Sequence, residues 1–258
     1  MNAQRSTKLI AIVGGSGAGK TWLADRLQQA CGAEAGRVSL DDFYRDRSHL
    51  SPTRRATINF DHPRAIDWPL VVQALRGCRE GRLTRLPRYS FTTHTRLHQH
   101  DEWLPPSLVL MDGLWLFWRP AVRELFDLRI FLACATPLRL ERRLARDVAE
   151  RGRSPKAVRE QFWKTVAPMH DRFVAPQMRW ADIVLSEPPS EAEIQRLVEL
   201  VQRLEPRARS AGGSENPARR WLACPRVEAG QSFATPQPMY VFDGNPGGNG
   251  RRKDLIGS

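Results

Sequence analysis

The chain has 258 residues, of which 41% are hydrophobic and 26% are charged, which fits one large globular domain or one domain with a tail and excludes fibrous and collagen-like proteins. No stretch reaches the roughly 18 apolar residues of a membrane helix, and the polar N-terminus lacks the apolar core of a signal peptide, so we expect a cytoplasmic protein. The net charge of +12 predicts an anionic partner, either a nucleic acid or a small polyphosphate.

Short apolar runs alternate with helical patterns through residues 1–204 and predict the strands of one sheet. The runs are residues 8–13, 37–40, 107–112, 128–133 and 182–185. This alternation is typical of an α/β fold with a parallel sheet covered by helices on both faces. The first predicted helix covers residues 20–30, where Leu23, Leu27 and Ala30 recur at helical spacing.

Capping residues mark the starts of the later helices. Asp67, Thr136 and Ser154 each open a predicted helix that has a proline in its first turn, and we expect them to cap those helices. Ser190 and Glu193 have the spacing of a capping box, which opens a last helix running to about residue 204. Residues 205–258 are rich in proline and glycine without sustained periodicity, so we expect this basic tail to be largely disordered.

Residues 14–21, GGSGAGKT, match the phosphate-binding pattern GxxxxGK[ST] between the first predicted strand and the first predicted helix. Glycines let the backbone wrap so that N–H groups point at phosphate oxygens, and the helix N-terminus adds partial positive charge. Lys20 is expected to bridge the β- and γ-phosphates of ATP, and Thr21 to ligate Mg²⁺. The expected phosphate-binding residues are Gly14, Gly15, Ser16, Gly17, Ala18, Gly19, Lys20 and Thr21. The loop leaves the acceptor open, as water, a protein, a nucleic acid or a small alcohol.

Acidic residues follow two of the predicted strands at their carboxyl ends. Asp112 ends the third run, where an acid beside the phosphate loop can hold Mg²⁺ directly or through water. Asp41 and Asp42 follow the second run and point into the crevice in which α/β folds bind ligands. A carboxylate there can accept the proton of an attacking hydroxyl, although two adjacent acids are also typical of a solvated turn.

Seven ordered motifs between residues 9 and 185 resemble those of uridine kinases (uridine–cytidine kinases), within the group that includes phosphoribulokinase. They are GGSGAGKT at 14–21, DDFY at 41–44, NFDHP at 59–63, YSFTTHTR at 89–96, MDG at 111–113, RDVAERGR at 146–153 and PMHDRFVAPQMRWADIV at 168–184. The resemblance implies a P-loop kinase fold, with a five-stranded parallel sheet, helices on both faces, a small substrate-binding insertion and an arginine-rich lid at about 139–160. It places the kinase domain at residues 1–204 and suggests a homo-oligomer.

The resemblance also implies roles for individual residues. Asp41 matches the catalytic aspartate that acts on the nucleoside 5′-hydroxyl, and it joins Thr21 and Asp112 as an expected Mg²⁺ ligand. Asp61 matches the residue that holds the ribose hydroxyls. The pocket for the pyrimidine matches Tyr44, Tyr89, Phe91 and His94. Five further residues match family positions that contact the nucleoside or the phosphates. Arg143 and Gln161 are expected on the nucleoside side, and Arg151 and Arg153 on the ATP side. Arg146 is expected to be a catalytic arginine.

Arginines recur on one face of the helix that follows Thr136. They are Arg139, Arg142, Arg143 and Arg146, while Leu140, Leu144 and Val148 lie roughly opposite. Arg143 with Asp147 and Arg146 with Glu150 have the spacing of ion pairs within the helix. The stripe is either a solvated basic face or a lid that faces an anion, and the hinge-like turn at 150–155 favours the lid.

The sequence therefore predicts an enzyme that transfers the γ-phosphoryl group of ATP, with Mg²⁺, to the 5′-hydroxyl of uridine or cytidine in pyrimidine salvage. One alternative keeps the kinase chemistry with another small alcohol, a sugar phosphate or a modified nucleoside. A less favoured alternative is a nucleic-acid-binding NTPase that uses its basic surface, and we expect a small nucleoside rather than a nucleic acid as the partner. Two features depart from the resemblance: Asp112 stands where uridine kinases usually carry glutamate, and residues 114–118 are bulkier than usual.

Overall fold

The structure, a computed structural model, describes residues 6–186 and 189–206. The predicted disorder of the tail concerns residues that lie almost entirely outside this part of the chain. No helix within the described ranges is both long and apolar enough to cross a lipid bilayer.

The strands in chain order are β1 (Lys8–Gly14), β2 (Ala35–Ser39), β3 (Thr84–Ser90), β4 (Thr95–Trp103), β5 (Leu108–Gly113), β6 (Leu128–Ala133) and β7 (Ile183–Ser186). Within residues 6–186, five of them form one sheet in the order β2-β5-β1-β6-β7. Every neighbouring pair in it is parallel. The parallel sheet predicted from the sequence is confirmed, and its strands lie within about two residues of the predicted runs.

The helices are α1 (Lys20–Cys31), α2 (Pro52–Ala56), α3 (Trp68–Arg79), α4 (Pro120–Arg123), α5 (Thr136–Ala149), α6 (Pro155–Gln161), α7 (Ala167–Met169) and α8 (Glu191–Arg203). Asp67 and Ser154 cap α3 and α6, and the Ser190–Glu193 capping box opens α8, as predicted. The predicted cap at Thr136 is wrong. Ala135 is the N-cap residue of α5, and the Thr136 hydroxyl instead accepts a hydrogen bond from Arg139 Nη2 at 3.1 Å.

The helical stretch from 155 to 180 changes its winding several times. Wide π turns at Phe162–Val166 and His170–Val174 flank α7, and a 3₁₀ turn at Ala175–Trp180 ends the stretch. Pro168 lies in α7 and has no N–H for an α-helical hydrogen bond, which is a physical reason for the irregular winding beside it.

Apolar side chains cover both faces of the sheet. In β1, Leu9, Ala11 and Val13 join the core on one face, which α3 and α4 cover, whereas Ile10 and Ile12 join the core on the other face. α1 and α8 close that second face. The sheet is therefore buried on both sides, as parallel sheets require.

β3 and β4 form an antiparallel hairpin apart from the main sheet, with a register shift between Pro87 and Tyr89. This hairpin is the small insertion that the resemblance implied. It carries Tyr89 in β3 and brings His94 to its turn, where the backbone of His94 has a φ of 54°.

Candidate active site

The phosphate-binding loop leaves the carboxyl end of β1 and enters α1 directly. Gly17 and Gly19 have φ angles of 81° and 88°, which glycine adopts at little cost. Gly19 is the N-cap residue of α1, so the first N–H groups of that helix are presented by backbone alone, as an anion site needs. Lys20 Nζ donates to the Gly15 carbonyl oxygen at 3.0 Å, which keeps the ammonium group over the loop.

Asp112 and Asp41 lie beside the loop because β5 pairs with both β1 and β2, and the carboxyl ends of these parallel strands lie together. Thr21 Oγ1 donates to Asp112 Oδ2 at 3.3 Å, and Asp112 is only 5% exposed. Burial raises the pKa of Asp112 and of Asp41, and the charge of Lys20 opposes both shifts. Burial likewise lowers the pKa of Lys20 against the attraction of the two carboxylates. The three groups therefore form one partly buried charge cluster.

The oxygen atoms of this cluster suit a magnesium ion. A hydroxyl and two carboxylates are the hard donors that Mg²⁺ prefers. Among the described residues, Asp112 Oδ1 has no hydrogen-bond partner, and its ion-pair contact with Arg37 Nε is long, at 3.7 Å. The site fits Mg²⁺ beside a triphosphate, with Thr21, Asp41 and Asp112 as the candidate ligands.

Aromatic rings cluster between the hairpin and residues 44–60. The rings of Tyr44 and Tyr89 are 5.2 Å apart, Phe91 lies 5.4 Å from Tyr89, and His94 stacks on Phe60 at 4.6 Å. The four residues predicted for the base pocket are thus brought together. Phe60 was missed, although it precedes Asp61 in the NFDHP motif.

The two tyrosines differ in the use of their hydroxyl groups. Tyr44 Oη donates to the Phe60 carbonyl oxygen at 3.2 Å, which fixes the wall of the pocket. The Tyr89 hydroxyl is buried and, within the described ranges, has no hydrogen-bond partner. A buried hydroxyl without a partner carries a free-energy cost, and a bound ligand would remove that cost.

Arg143 connects the phosphate loop to the acceptor side. Its Nη1 donates to Ser16 Oγ at 3.0 Å, and its Nη2 donates to Gln161 Oε1 at 3.0 Å. Arg153 donates to the same Gln161 oxygen at 2.6 Å. Burial raises the pKa of Asp61, and the charges of Arg143 and Arg153 oppose that shift. Asp61 therefore lies within the electrostatic reach of both arginines.

The arginine face of α5 points into the protein. Arg139 and Arg143 are 1% and 6% exposed, whereas Val148 on the other side of the helix is exposed. The solvated-face interpretation is therefore wrong for these two arginines. The predicted pair of Arg143 with Asp147 is confirmed at 3.4 Å. Arg146 pairs with Asp147 at 2.9 Å rather than with Glu150, which is an exposed residue at the helix end.

Arg139 and His170 also lie against the loop. The sequence placed Arg139 on the arginine stripe of the expected lid, but it gave His170 no role in the site. A Cβ atom at Gly15 would lie 2.6 Å from Arg139 Nη1 and 2.8 Å from His170 Nδ1. Burial lowers the pKa of His170 to about 3, helped by the charges of Arg139 and Lys20, so the imidazole is neutral at physiological pH. His170 belongs to the motif at 168–184, but the motif gave it no role, because its contacts come from distant parts of the chain.

Residues 9–192 match the model of the family described as the phosphoribulokinase/uridine kinase family. A uridine kinase of Chloroflexus aurantiacus is 40% identical over 177 residues, which are 68% of this chain and 85% of the relative. A uridine kinase of Shewanella amazonensis is 37% identical over 190 residues, which are 72% and 89% of the two chains.

Solved structures share the fold at lower sequence identity. A putative fructose transport system kinase from Silicibacter sp. TM1040 is 18% identical, with a TM-score of 0.56 over 71% of this chain and 92% of its own. Phosphoribulokinase from Rhodobacter spheroides is 20% identical, with a TM-score of 0.54 over 70% of each chain. These likenesses confirm the P-loop kinase fold.

Proposed function

This chain belongs to the phosphoribulokinase/uridine kinase family, and from that premise we propose that it transfers the γ-phosphoryl group of ATP to the 5′-hydroxyl of uridine or cytidine. The observation that carries the proposal is the position of Asp41, in one charge cluster with Lys20 of the phosphate loop. The product is a nucleoside monophosphate, which assigns the enzyme to pyrimidine salvage in the cytoplasm. The catalytic domain comprises residues 1–204.

The donor half of the mechanism belongs to residues 14–21. Backbone N–H groups of the loop and of the first turn of α1 bind the phosphates of ATP, and Lys20 bridges the β- and γ-phosphates. Thr21, Asp41 and Asp112 are the residues that would hold Mg²⁺, which neutralises charge on the phosphate oxygens.

The acceptor half depends on Asp41. Its carboxylate accepts the proton of the 5′-hydroxyl as the new oxygen–phosphorus bond forms and the bond to the β-phosphate oxygen breaks. Burial raises the pKa of Asp41, which strengthens it as a proton acceptor, while the charges of Lys20, Arg146 and Arg151 oppose that shift and favour the ionised form.

The nucleoside is held at its two ends. Tyr44, Tyr89 and Phe91 form apolar walls for the planar base, and His94 offers a hydrogen bond to its polar edge. Asp61 accepts hydrogen bonds from the ribose hydroxyls, next to Arg143 and Gln161.

Residues 139–160 serve as a lid over the transferring phosphoryl group. Arg146, Arg151 and Arg153 add positive charge where negative charge develops. Closure excludes water, which would otherwise compete with the nucleoside for the phosphoryl group.

Asp41→Asn tests the proposal most directly. The variant should bind ATP with near-normal affinity and lose a factor of about 10² or more in turnover, since the amide cannot accept the proton. Asp42→Asn, at the neighbouring position of the same turn, is the matched control and should retain turnover within a few-fold. Near-normal turnover of Asp41→Asn would remove Asp41 from the mechanism.

A panel of acceptors tests the substrate class. Purified protein is given ATP, Mg²⁺ and one alcohol at a time, and ADP release is measured for uridine, cytidine, a modified nucleoside and a sugar phosphate. We expect the largest kcat/KM for uridine or cytidine. Turnover with a sugar phosphate and none with a nucleoside would contradict the proposal.

A further inference from the structure

Asp147 lies on α5 with a completely buried side chain, and the proposed mechanism gives it no role. Within the described part of the chain, its two carboxylate oxygens face four arginines. Oδ1 is 2.9 Å from Arg146 Nη2 and 3.5 Å from Arg151 Nη1. Oδ2 is 3.4 Å from Arg143 Nε and 3.6 Å from Arg153 Nη1. Each oxygen therefore holds one pair of guanidinium groups.

The two pairs act on different parts of the active site. Arg146 and Arg151 lower the pKa of Asp41 by their charge, so they lie on the side where the phosphoryl group is transferred. Arg143 and Arg153 act in the same way on Asp61. These last two also share the Gln161 oxygen. Each pair also reaches the other side, because Arg143 donates to Ser16 Oγ of the phosphate loop at 3.0 Å and Arg151 Cζ lies 5.7 Å from the centre of the Phe91 ring. The four arginines together therefore span the transfer site and the acceptor side.

We propose that Asp147 is a positioning residue that aligns both pairs of arginines, so that a single carboxylate orders the transfer site and the acceptor site together. The inference rests on the proposed function, because that function gives the arginines their partners.

The physical need for such a residue follows from the charges. Four guanidinium groups in one region repel one another, and without a counter-charge their long side chains would turn towards water and gain rotamer freedom. Asp147 is itself held in place, because its backbone carbonyl oxygen accepts a hydrogen bond from Arg153 N at 3.1 Å. Gly152, with a φ of 61°, makes the turn that brings this N–H back. Charges ordered before the reaction need no reorganisation during it.

Asp147→Asn removes the charge and keeps the size of the side chain. We expect kcat to fall about tenfold or more, which is less than the factor of about 10²–10³ lost when a preorganised donor is itself removed, because the arginines remain present. Asp147→Glu restores the charge and should recover part of the loss. Glu141→Gln removes one negative charge from the exposed side of the same helix and is the matched control, with kcat unchanged. A kcat for Asp147→Asn within twofold of the wild type would overturn the proposal.

A double-mutant cycle separates positioning from a merely structural role. If Asp147 acts through Arg151, then Arg151→Ala should cost about tenfold in kcat in the wild type and less than about threefold in Asp147→Asn. Equal costs in the two backgrounds would show that the residues act independently and would overturn the proposal. Thermal unfolding of each variant shows that the compared proteins are folded.

A second pair of variants covers the case in which Asp147→Asn does not fold. Arg143→Lys and Arg151→Lys keep their charges and contact different oxygens of Asp147, so their effects on kcat should be non-additive if the carboxylate couples them. Additive effects would overturn the proposal. A wild type that phosphorylates no nucleoside would defeat the proposed function instead, and the same cycle would then be measured in the dissociation constant for ATP.

Discussion

The donor half and the acceptor half of the active site are built in different ways. The donor half consists of consecutive residues, 14–21, and presents mainly backbone N–H groups at the start of α1. The proposed acceptor half uses single side chains from the 3₁₀ turn after β2, the hairpin, α5 and α6, among them Asp41, Tyr89, Arg143 and Gln161. The donor half therefore depends on the path of the chain, and the acceptor half depends on packing between distant elements.

This difference has a consequence for mutations. A backbone ligand has no side chain to delete, so the backbone part of the donor half fails only when its conformation changes, and every acceptor is then affected alike. In the acceptor half, one substitution removes one contact and should change the use of the nucleoside while ATP binding persists.

Gly17→Ala should have the largest effect on the donor half. Gly17 has a φ of 81° and lies against the backbone of Arg139, whose Cα would be 3.1 Å from an added Cβ. Both strain and collision would displace the loop, and a displacement of about 1 Å can cost a factor of about 10² in catalysis. We expect kcat/KM for ATP to fall by about that factor with every acceptor.

Gly32→Ala is the matched control for this prediction. Gly32 also has a positive φ, of 58°, but an added Cβ would meet nothing within 4 Å. The change should cost about 1–3 kcal/mol in stability through backbone strain alone and leave kcat/KM for ATP near that of the wild type. Similar losses of activity in the two variants would mean that strain anywhere in the chain, rather than the shape of the loop, limits donor binding.

Tyr89→Phe tests the acceptor half with an intermediate effect. The Tyr89 hydroxyl is buried and has no hydrogen-bond partner among the described residues, so we expect it to bond the nucleoside. Its loss should raise KM for uridine about fivefold to tenfold, the worth of one hydrogen bond, with KM for ATP unchanged.

Tyr44→Phe is the internal comparison for Tyr89→Phe. The Tyr44 hydroxyl already donates to the Phe60 carbonyl oxygen, so its loss should lower the unfolding free energy by about 1 kcal/mol and change KM for uridine much less. A larger KM effect from Tyr44→Phe than from Tyr89→Phe would reverse the assignment of the two hydroxyl groups.

The sequence predicted the strand, loop and helix around residues 14–21 almost completely, because their signal is local. The pattern at 14–21 carries the glycines, the lysine and the hydroxyl together, and the flanking apolar run and helical spacing identify β1 and α1. The two acidic residues at the carboxyl ends of the strands were predictable as well, since Asp41 and Asp112 each come at the end of an apolar run. The cap at Thr136 failed because the helix start moved by one residue, a shift that propensity does not resolve.

The acceptor half was only partly predictable, because its contacts cross the chain. Spacing along α5 correctly indicated the pair of Arg143 with Asp147, but it wrongly paired Arg146 with Glu150. Arg151 also lies four residues from Asp147, whereas Arg153 reaches the same carboxylate only because the turn at Gly152 folds it back. Phe60 similarly needed the hairpin to show its stacking with His94. Such contacts depend on tertiary packing, which no periodicity records.

His170 is an exception to the division between the two halves. It comes from the π turn His170–Val174, and its Nδ1 would lie 2.8 Å from a Cβ at Gly15. A side chain from a distant element thus packs against the locally built loop. If this contact supports the loop, the stability of the protein should report the protonation of His170.

His170→Phe should have the smallest effect, visible in the pH dependence of unfolding. Burial lowers the pKa of His170 from 6.5 to about 3, so the folded state resists protonation while the unfolded chain accepts a proton. The contribution of neutral His170 to stability is therefore complete above about pH 6.5 and is lost as the pH falls towards 3. The wild-type Tm should fall more steeply than the variant's Tm between pH 7 and pH 5, while the two curves run parallel between pH 7 and pH 8. Parallel curves over the whole range would mean that His170 is not buried against the loop in solution, and the donor half would then depend on residues 14–21 alone.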